Sequence, residues 1–456
     1  MTGTRPQPIN IVGAGLGGAL LAVLLAKRGF AVSLYDRRPD PRHVHAERGR
    51  SINLALATRG MRALERAGVM EAVRPLLIEM RGRMIHERTG EPKLLSYGWK
   101  PNEVIYSVGR AALTRLLVEA AATHRNVSLH FNQACLGVSA TENVAHFRDE
   151  ETDERFDAPL TPTIGTDGAG SVLRASLAAD RFIQVREEFL DHDYKELTLP
   201  PVNGAPTLDV NALHVWPRGG FMLIALPNTD GSFTATLFLA RKGPNSFASL
   251  QTAQHVQEFF AREFPDAVPL IPDLLTEFFA HPQGQLGTVH AAPWHVGGKV
   301  LLLGDAAHAI VPFHGQGMNA AFEDCTTFDA LLDRCSEWES LFAEFDRTRR
   351  PNAEAIAQMA LENYIEMRDT VLDPGFQRRK AMSEELERRF PDRFIPRYAM
   401  VMFHPEISYA DALRRGAVQS EILLALDQLA GTSGALDLHE ATVMIHERLP
   451  QIATGD

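Results

Sequence analysis

INIVGAGLGG, residues Ile9–Gly18, decides the fold. A short apolar strand, Ile9–Val12, runs into a GxGxxG turn and then into an apolar helix, Leu20–Lys27. In such a turn the first glycine makes the tight bend and the second lets backbone approach a pyrophosphate. The third allows close helix–strand packing. The next strand, Ala31–Tyr35, ends at Asp36, about twenty residues on, where an acid holds a ribose hydroxyl. Strand, glycine turn, helix and acid in this order predict an α/β, Rossmann-like nucleotide-binding domain. Gly13, Gly15 and Gly18 stand at the phosphates and Asp36 at the sugar. The apolar run Ile11–Ala26 is expected to be neither a signal peptide nor a membrane span. Only Arg5 precedes it, four glycines interrupt it and no A-x-A site follows. It is also shorter than the ~20 residues a spanning helix needs.

A second stretch, Leu301–Asn319, reads LLLGDAAHAIVPFHGQGMN. An apolar strand ends at Gly304-Asp305, and Asp305 is placed to accept hydrogen bonds from a sugar hydroxyl. Gly315-Gln316-Gly317 opens a helical pattern, Met318–Cys335. Glycines there let backbone N–H groups approach a flat, anionic ligand at a helix N-terminus. His308, which follows Gly304-Asp305-Ala306-Ala307, reads as packing or capping. Between the two stretches lies Gly165-Thr166-Asp167-Gly168-Ala169-Gly170-Ser171, ending in Arg174. Alone this is an ordinary strand-to-turn junction, since Asp-Gly is a common turn pair.

The 456 residues suffice for two or three units around a large core. Lys plus Arg number 46 against 57 Asp plus Glu, a formal charge of −11. An acidic chain argues against non-specific nucleic-acid binding, which needs a cationic surface. Cys135, Cys325 and Cys335 have no metal-binding spacing and imply no disulfide framework, so a reducing cytoplasm is expected. No HExxH, P-loop or EF-hand loop occurs, and no metal is expected.

No repeat or long linker divides the chain, so its domains must interleave. After the first βαβ come a helix, Arg110–Thr123, and strands near Val127–Phe131, Val144–Phe147 and Thr163–Thr166. From Asp193 to Leu239 the segments Ala212–Val215, Met222–Leu226 and Phe233–Leu239 alternate with Pro, Gly and Asn turns, which predicts an antiparallel sheet. The chain returns to the first domain through Val300–Gly304 and is mostly helical from about Ser336. Ala417–Ala430 is amphipathic with internal acids, the pattern of a solvent-facing helix. The expected domains are 1–75, 101–180 and 285–335 (nucleotide-binding), 76–100 and 181–284 (β-rich, substrate), and 336–456 (C-terminal, helical).

The order GxGxxG, DG, GD resembles the single-component FAD-dependent aromatic hydroxylases. The approach to the DG motif, Thr161–Thr166, is less aliphatic than is usual there. The resemblance implies FAD as cofactor, with Asp167 and Gly168 in the DG segment, which serves both FAD and pyridine nucleotide, and Asp305 on the ribityl chain. Arg38 and Arg110 would contact the nucleotide portion. The amides of Gly315, Gln316, Gly317 and Met318 would stabilise negative charge on reduced flavin. Further blocks narrow the match: GRSINLAL (Gly49–Leu56), RGRMIH (Arg81–His86), NALHVWP (Asn211–Pro217), VPFHGQGMN (Val311–Asn319), ALENYIEM (Ala360–Met367) and RFIPRYAMVMF (Arg393–Phe403). These resemble the kynurenine 3-monooxygenases and span nearly the whole chain.

That resemblance implies L-kynurenine and O2 as substrates, NADPH as reductant, and 3-hydroxykynurenine as product through a flavin hydroperoxide. It implies no catalytic side chain, because flavin does the difficult chemistry. Arg83 and Tyr97, completed by Asn363 and Tyr398, would clamp the substrate carboxylate. Leu213, Ile224, Phe238, Pro312 and Phe313 would wall an apolar slot, with His314 beside it. Met367, with Asn363 and Tyr398, would place the C-terminal helices at the pocket. Related eukaryotic enzymes carry a membrane anchor at this end, whereas the tail Ile445–Asp456 is short and polar, so no anchor is expected. The flavin segments alone leave open a hydroxylase for hydroxybenzoate or salicylate, a flavin-dependent reductase, or a non-catalytic nucleotide-binding module.

Overall fold

The computed structural model describes residues 8–43, 53–370, 373–431 and 436–452. Gly49–Ile52 of the block Gly49–Leu56 lie outside the described residues. Two compact units form. The first takes residues up to Leu77, Ser107–Leu190 and Gln285–Ala357; the second takes Ile78–Tyr106, Asp191–Gly284 and the chain from Gln358 on.

In the first unit the strands run His295–Val296, Val300–Leu302, Thr163–Gly165, Ile9–Val12, Val32–Tyr35, Val127–His130 in spatial order. All neighbours are parallel except the first pair. Val12 stands opposite Gly165, and Gly165 opposite Leu302. The strands leading into the GxGxxG, DG and GD segments are therefore adjacent, and all three end at the same edge. In an open parallel sheet that edge is where ligands bind. The fingerprint helix spans Leu16–Lys27, four residues earlier than expected, because Gly17 and Gly18 already lie in its first turn. It packs between Arg110–Ala122 and Gly317–Leu331. Its residues Leu20–Leu25 are buried all round, so the helix is core and not an amphipathic surface element.

In the second unit the strands run, in spatial order, the part of Gln184–Leu199 from Asp191 on, then Phe233–Ala240, Met222–Pro227, Ala212–Pro217, Gly82–Ile85 and Lys93–Ser96. Pairing is antiparallel, as the turns predict, except between Ala212–Pro217 and Gly82–Ile85, which are parallel. Those two are far apart in sequence, so no tight hairpin constrains them to run antiparallel. One face of the sheet carries Trp216, Leu223, Ala225, Ala235, Leu237 and Leu239 into a core with Phe259, Phe260, Phe264 and Phe278 of the following helices. The C-terminal helices Pro374–Arg389, Tyr409–Ala430 and Leu438–Arg448 pack round Leu386, Phe394, Ile422, Leu426 and Ile445. No helix among the described residues is long and apolar enough to cross a membrane.

Candidate active site

At the sheet edge of the first unit, Gly13 adopts φ +108°, and a Cβ there would stand 2.5 Å from Thr166 O. A Cβ on Gly18 would stand 2.0 Å from Gly13 O. Both glycines are demanded by the protein itself. Gly15 differs: a Cβ there would meet nothing within 4 Å, so the space above it is open. Helix Leu16–Lys27 begins at Gly15 with no capping side chain and no acid in its first turn, and Gly317–Leu331 begins at Gln316 in the same way. Two helix N-termini thus present backbone N–H groups and the positive end of the dipole with no side-chain cap. A diphosphate and the electron-rich edge of a reduced flavin are anions these ends suit. The residues fit FAD.

The acids of this edge are used unequally. Asp36 Oδ2 accepts from the Ala14 N–H at 2.8 Å, and its two oxygens accept from Arg38 Nη2 and Nε at 2.8 and 2.9 Å. Burial works against the Asp36 charge, but Arg38 outweighs it and holds the carboxyl below its ordinary range. Arg38 therefore braces Asp36 directly. Asp167 accepts from Ser171 Oγ and the Val172 N–H, both at 2.7 Å, so its carboxylate caps helix Val172–Ala179. Gly168 is left-handed at φ +84° with open space where a Cβ would stand. Arg110 is exposed at the start of its helix. Asp305 heads the short helix Asp305–His308, and a Cβ on Gly317 would lie 4.0 Å from its Oδ1. The GD acid and the Gly315–Gly317 turn thus meet.

The sequence reading named Arg174 and His308 without their partners and missed Asn319 and Asp324 as supports for this edge. Buried Asn319 donates to Ala55 O and Gly315 O at 2.8 Å and accepts from the Ala57 N–H at 2.9 Å, which pins the glycine turn. Arg174 donates to Ala306 O at 3.0 Å and to Ala169 O, joining the DG segment to the GD segment. Fully buried Asp324 accepts from the Gly304 N–H, His308 and Arg349. His308 is thus held by its hydrogen bond to Asp324 as well as by its stack on Trp294.

In the second unit, register brings Arg83 opposite Leu213 and Val215 opposite Ile224. Met222 stands opposite Phe238. By strand alternation Arg83, Leu213, Ile224 and Phe238 share the sheet face away from the aromatic core. Arg83 has a side chain 12% exposed. Its contacts are long: Nη1 to Glu366 Oε1 at 3.5 Å and Nη2 to Asn363 Oδ1 at 3.4 Å. Its guanidinium carbon lies 5.1 Å from the centre of the Tyr398 ring. Arg83 Nε is buried and makes no hydrogen bond. The rings of Tyr97 and Tyr398 stack at 5.6 Å. Buried Asn363 reaches Met367 Sδ at 3.5 Å. Burial pushes the Tyr97 phenol well up, with Arg83 opposing, and pushes Tyr398 up to about 12. Both phenols are protonated donors at neutral pH. Burial also opposes the charge on Arg83, but Tyr398, Glu366 and Tyr97 outweigh it. Glu366 is a neighbour the sequence reading missed. Its spacing from Asn363 was the available signal, since residues three apart share a helix face. Pro312, Phe313 and His314 belong to the first unit, where they form a 3-10 turn.

A family model described as FAD binding domain matches residues 7–360. Kynurenine 3-monooxygenase of Stenotrophomonas maltophilia (strain K279a) is 47% identical over 445 residues, 97% of each chain. That of Xanthomonas axonopodis pv. citri (strain 306) is 46% identical over 450 residues, 98% of each chain. The chain belongs to the kynurenine 3-monooxygenase family. It is an FAD-dependent monooxygenase, and the three-segment nucleotide edge is the part of this family's architecture that the glycines made legible. Among solved structures, 2-methyl-3-hydroxypyridine-5-carboxylic acid oxygenase is similar with a TM-score of 0.66 at 17% identity, over 81% of this chain and 95% of that one. P. aeruginosa PqsL in complex with 2-aminobenzoylacetate gives a TM-score of 0.60 at 21% identity, over 79% and 96%. At that identity they share the fold with this kynurenine 3-monooxygenase family member. No group of three or more His, Cys, Asp or Glu among the described residues could hold a metal.

Proposed function

We propose that this protein hydroxylates L-kynurenine at ring position 3, consuming NADPH, a proton and O2 and releasing 3-hydroxykynurenine, NADP⁺ and water. The observation that carries the reading is Arg83: a buried guanidinium with an unpartnered Nε, two long contacts and two protonated phenols nearby. A substrate carboxylate suits that Nε and the loosely held fork beside it, since an Arg fork pairs with a carboxylate through two charge-assisted bonds. Tyr97, Tyr398 and Asn363 supply the remaining donors. Glu366, beside the same guanidinium, suits the ammonium of an amino-acid head. Leu213, Ile224 and Phe238 on the same sheet face, with Met367, suit an aromatic ring.

Bound FAD, reduced by NADPH, supplies the activated oxygen atom. The protein's part is to hold it, to orient the ring and to keep water out. Gly13, Gly15 and Gly18 serve the diphosphate, and Asp36, braced by Arg38, serves the ribose. Arg110 serves the nucleotide phosphates, Asp167 and Gly168 the DG turn, and Asp305 the ribityl chain. The amides of Gly315, Gln316, Gly317 and Met318 sit at a helix start that favours negative charge. The three cysteines are free, which suits a reducing cytoplasm.

The test is NADPH oxidation and O2 uptake with and without L-kynurenine, followed by product analysis under labelled dioxygen. Kynurenine should accelerate both, and one labelled oxygen should appear in the product. A product without label, or salicylate preferred over kynurenine, rejects the reading.

A further inference from the structure

Helix Pro374–Arg389 of the second unit meets the loop that carries Tyr97 at two places. Lys380 Nζ donates to Ser96 O at 3.5 Å, one residue before Tyr97. Further along the same face, Glu387 reaches the loop at Lys100, whose Nζ lies 3.8 Å from Glu387 Oε1 and 3.2 Å from Glu103 Oε1. Glu103 folds beneath Gly98, where a Cβ would stand 2.0 Å from its Oε2, and that oxygen accepts from the Lys100 N–H at 3.1 Å. Glu103 and Glu387 are both buried, at 4% and 2% exposure. Two buried carboxylates thus share one ammonium, and Glu387 Oε1 makes no hydrogen bond. Two ionised acids against a single cation leave an uncompensated charge in a dry place, so one acid keeps its proton. The groups facing Glu387 are Glu103, Lys100 and the Trp99 side chain from the loop, and Glu384 from its own helix. Burial and then Glu103 push Glu387 up to about 7, with Lys100 opposing.

We propose that Glu387 is a positioning residue: protonated, it latches helix Pro374–Arg389 to the Tyr97 loop through Lys100 and Glu103, and losing that proton loosens the grip on the substrate carboxylate. The proposal rests on the reading of Arg83 and Tyr97 as the clamp. The sign follows from a carboxyl raised in the latched form. Latching is favoured at low pH, declines as pH rises from the ordinary glutamate range to about 7, and levels off above that. Between pH 6 and pH 8 the latching equilibrium changes by about tenfold at most.

Two measurements on the FAD-loaded enzyme test it. Hydrogen exchange of the Tyr97–Glu103 segment, without kynurenine and corrected for the chemical rate, should lose protection from pH 6 to pH 8 in wild type. In Glu387→Gln, a neutral isostere, protection should not depend on pH. The kynurenine dissociation constant should rise over the same range in wild type and stay flat in Glu387→Gln, with FAD affinity unchanged. If Glu387→Gln does not fold, Glu103→Gln replaces it. Removing the neighbouring charge should move the wild-type transition to lower pH. Identical exchange profiles in wild type and variant overturn the latch, whatever kynurenine does. The expected exchange profiles with no kynurenine binding in any protein overturn the clamp reading instead, and with it the latch's role in binding.

Discussion

Arg83 is the side chain to which the proposed function assigns most of the specificity. Removing one partner of a desolvated charge pair costs ~2–5 kcal/mol, because the other charge is left unpaired. Arg83→Ala should therefore weaken kynurenine binding by roughly 30-fold to several-thousand-fold while FAD affinity holds. Arg83→Lys should recover little, since an ammonium cannot reproduce a two-bond fork. Tyr97→Phe should cost on the order of 1 kcal/mol, the worth of one hydroxyl contact. Titration with a kynurenine analogue lacking the carboxylate is the check. Should Arg83→Ala still prefer kynurenine by the wild-type margin, the clamp lies elsewhere. At this scale residue likeness named Arg83, Tyr97, Asn363 and Tyr398 but not Glu366, Asn319 or Asp324. Those act through contacts made by distant segments, and nothing in their local sequence records a partner.

The glycine turn of the first helix separates what the fold needs from what the cofactor needs. Gly15→Ala adds a Cβ into open space, whereas Gly18→Ala drives one to 2.0 Å from Gly13 O. The first variant should fold as wild type does but bind FAD at least about tenfold more weakly, because the methyl fills the approach to the helix amides. The second should lose folded protein altogether. Far-UV circular dichroism and FAD titration separate the two outcomes. A Gly15→Ala variant with normal FAD affinity would remove the diphosphate from that helix end. The turn was readable because its demands are local. The capping of helix Val172–Ala179 by Asp167 was equally local, and an acid just ahead of Ser171 was its signal.

Stability of the whole molecule is linked to protons taken up far from the flavin edge. His214 is 2% exposed, and burial first of all pulls it down to about 4; its Nε2 lies 2.8 Å from Asp209 O and its Nδ1 2.9 Å from His86 Nε2. Its folded value is depressed, so the unfolded chain binds the proton first. Stability should be present above pH ~6.5 and lost as pH falls towards ~4, by roughly 3 kcal/mol. Thermal melts of wild type and His214→Gln across that range check it. A wild-type loss no steeper than the variant's would show that another group governs acid unfolding. Glu387 acts in the opposite direction, so the difference between the two proteins is the informative quantity.

By itself the sequence determined the α/β class, the three segments of the nucleotide edge and the change to a β-rich region near Asp193. Each rests on short-range demands: glycines where a Cβ cannot stand, acids at strand ends, and apolar alternation. Only the tertiary structure decided which strands are neighbours. It paired Gly82–Ile85 parallel to Ala212–Pro217, which puts Arg83 opposite Leu213 on one face. It also decided how the carboxylates are used. Asp36 is braced by Arg38, Asp167 is taken up by a helix cap, and Glu103 and Glu387 are buried against one lysine. Strand order, burial and charge pairing arise between residues far apart in the chain, where the free energy depends on what lies opposite and how much water remains, and neither is written in the neighbouring sequence.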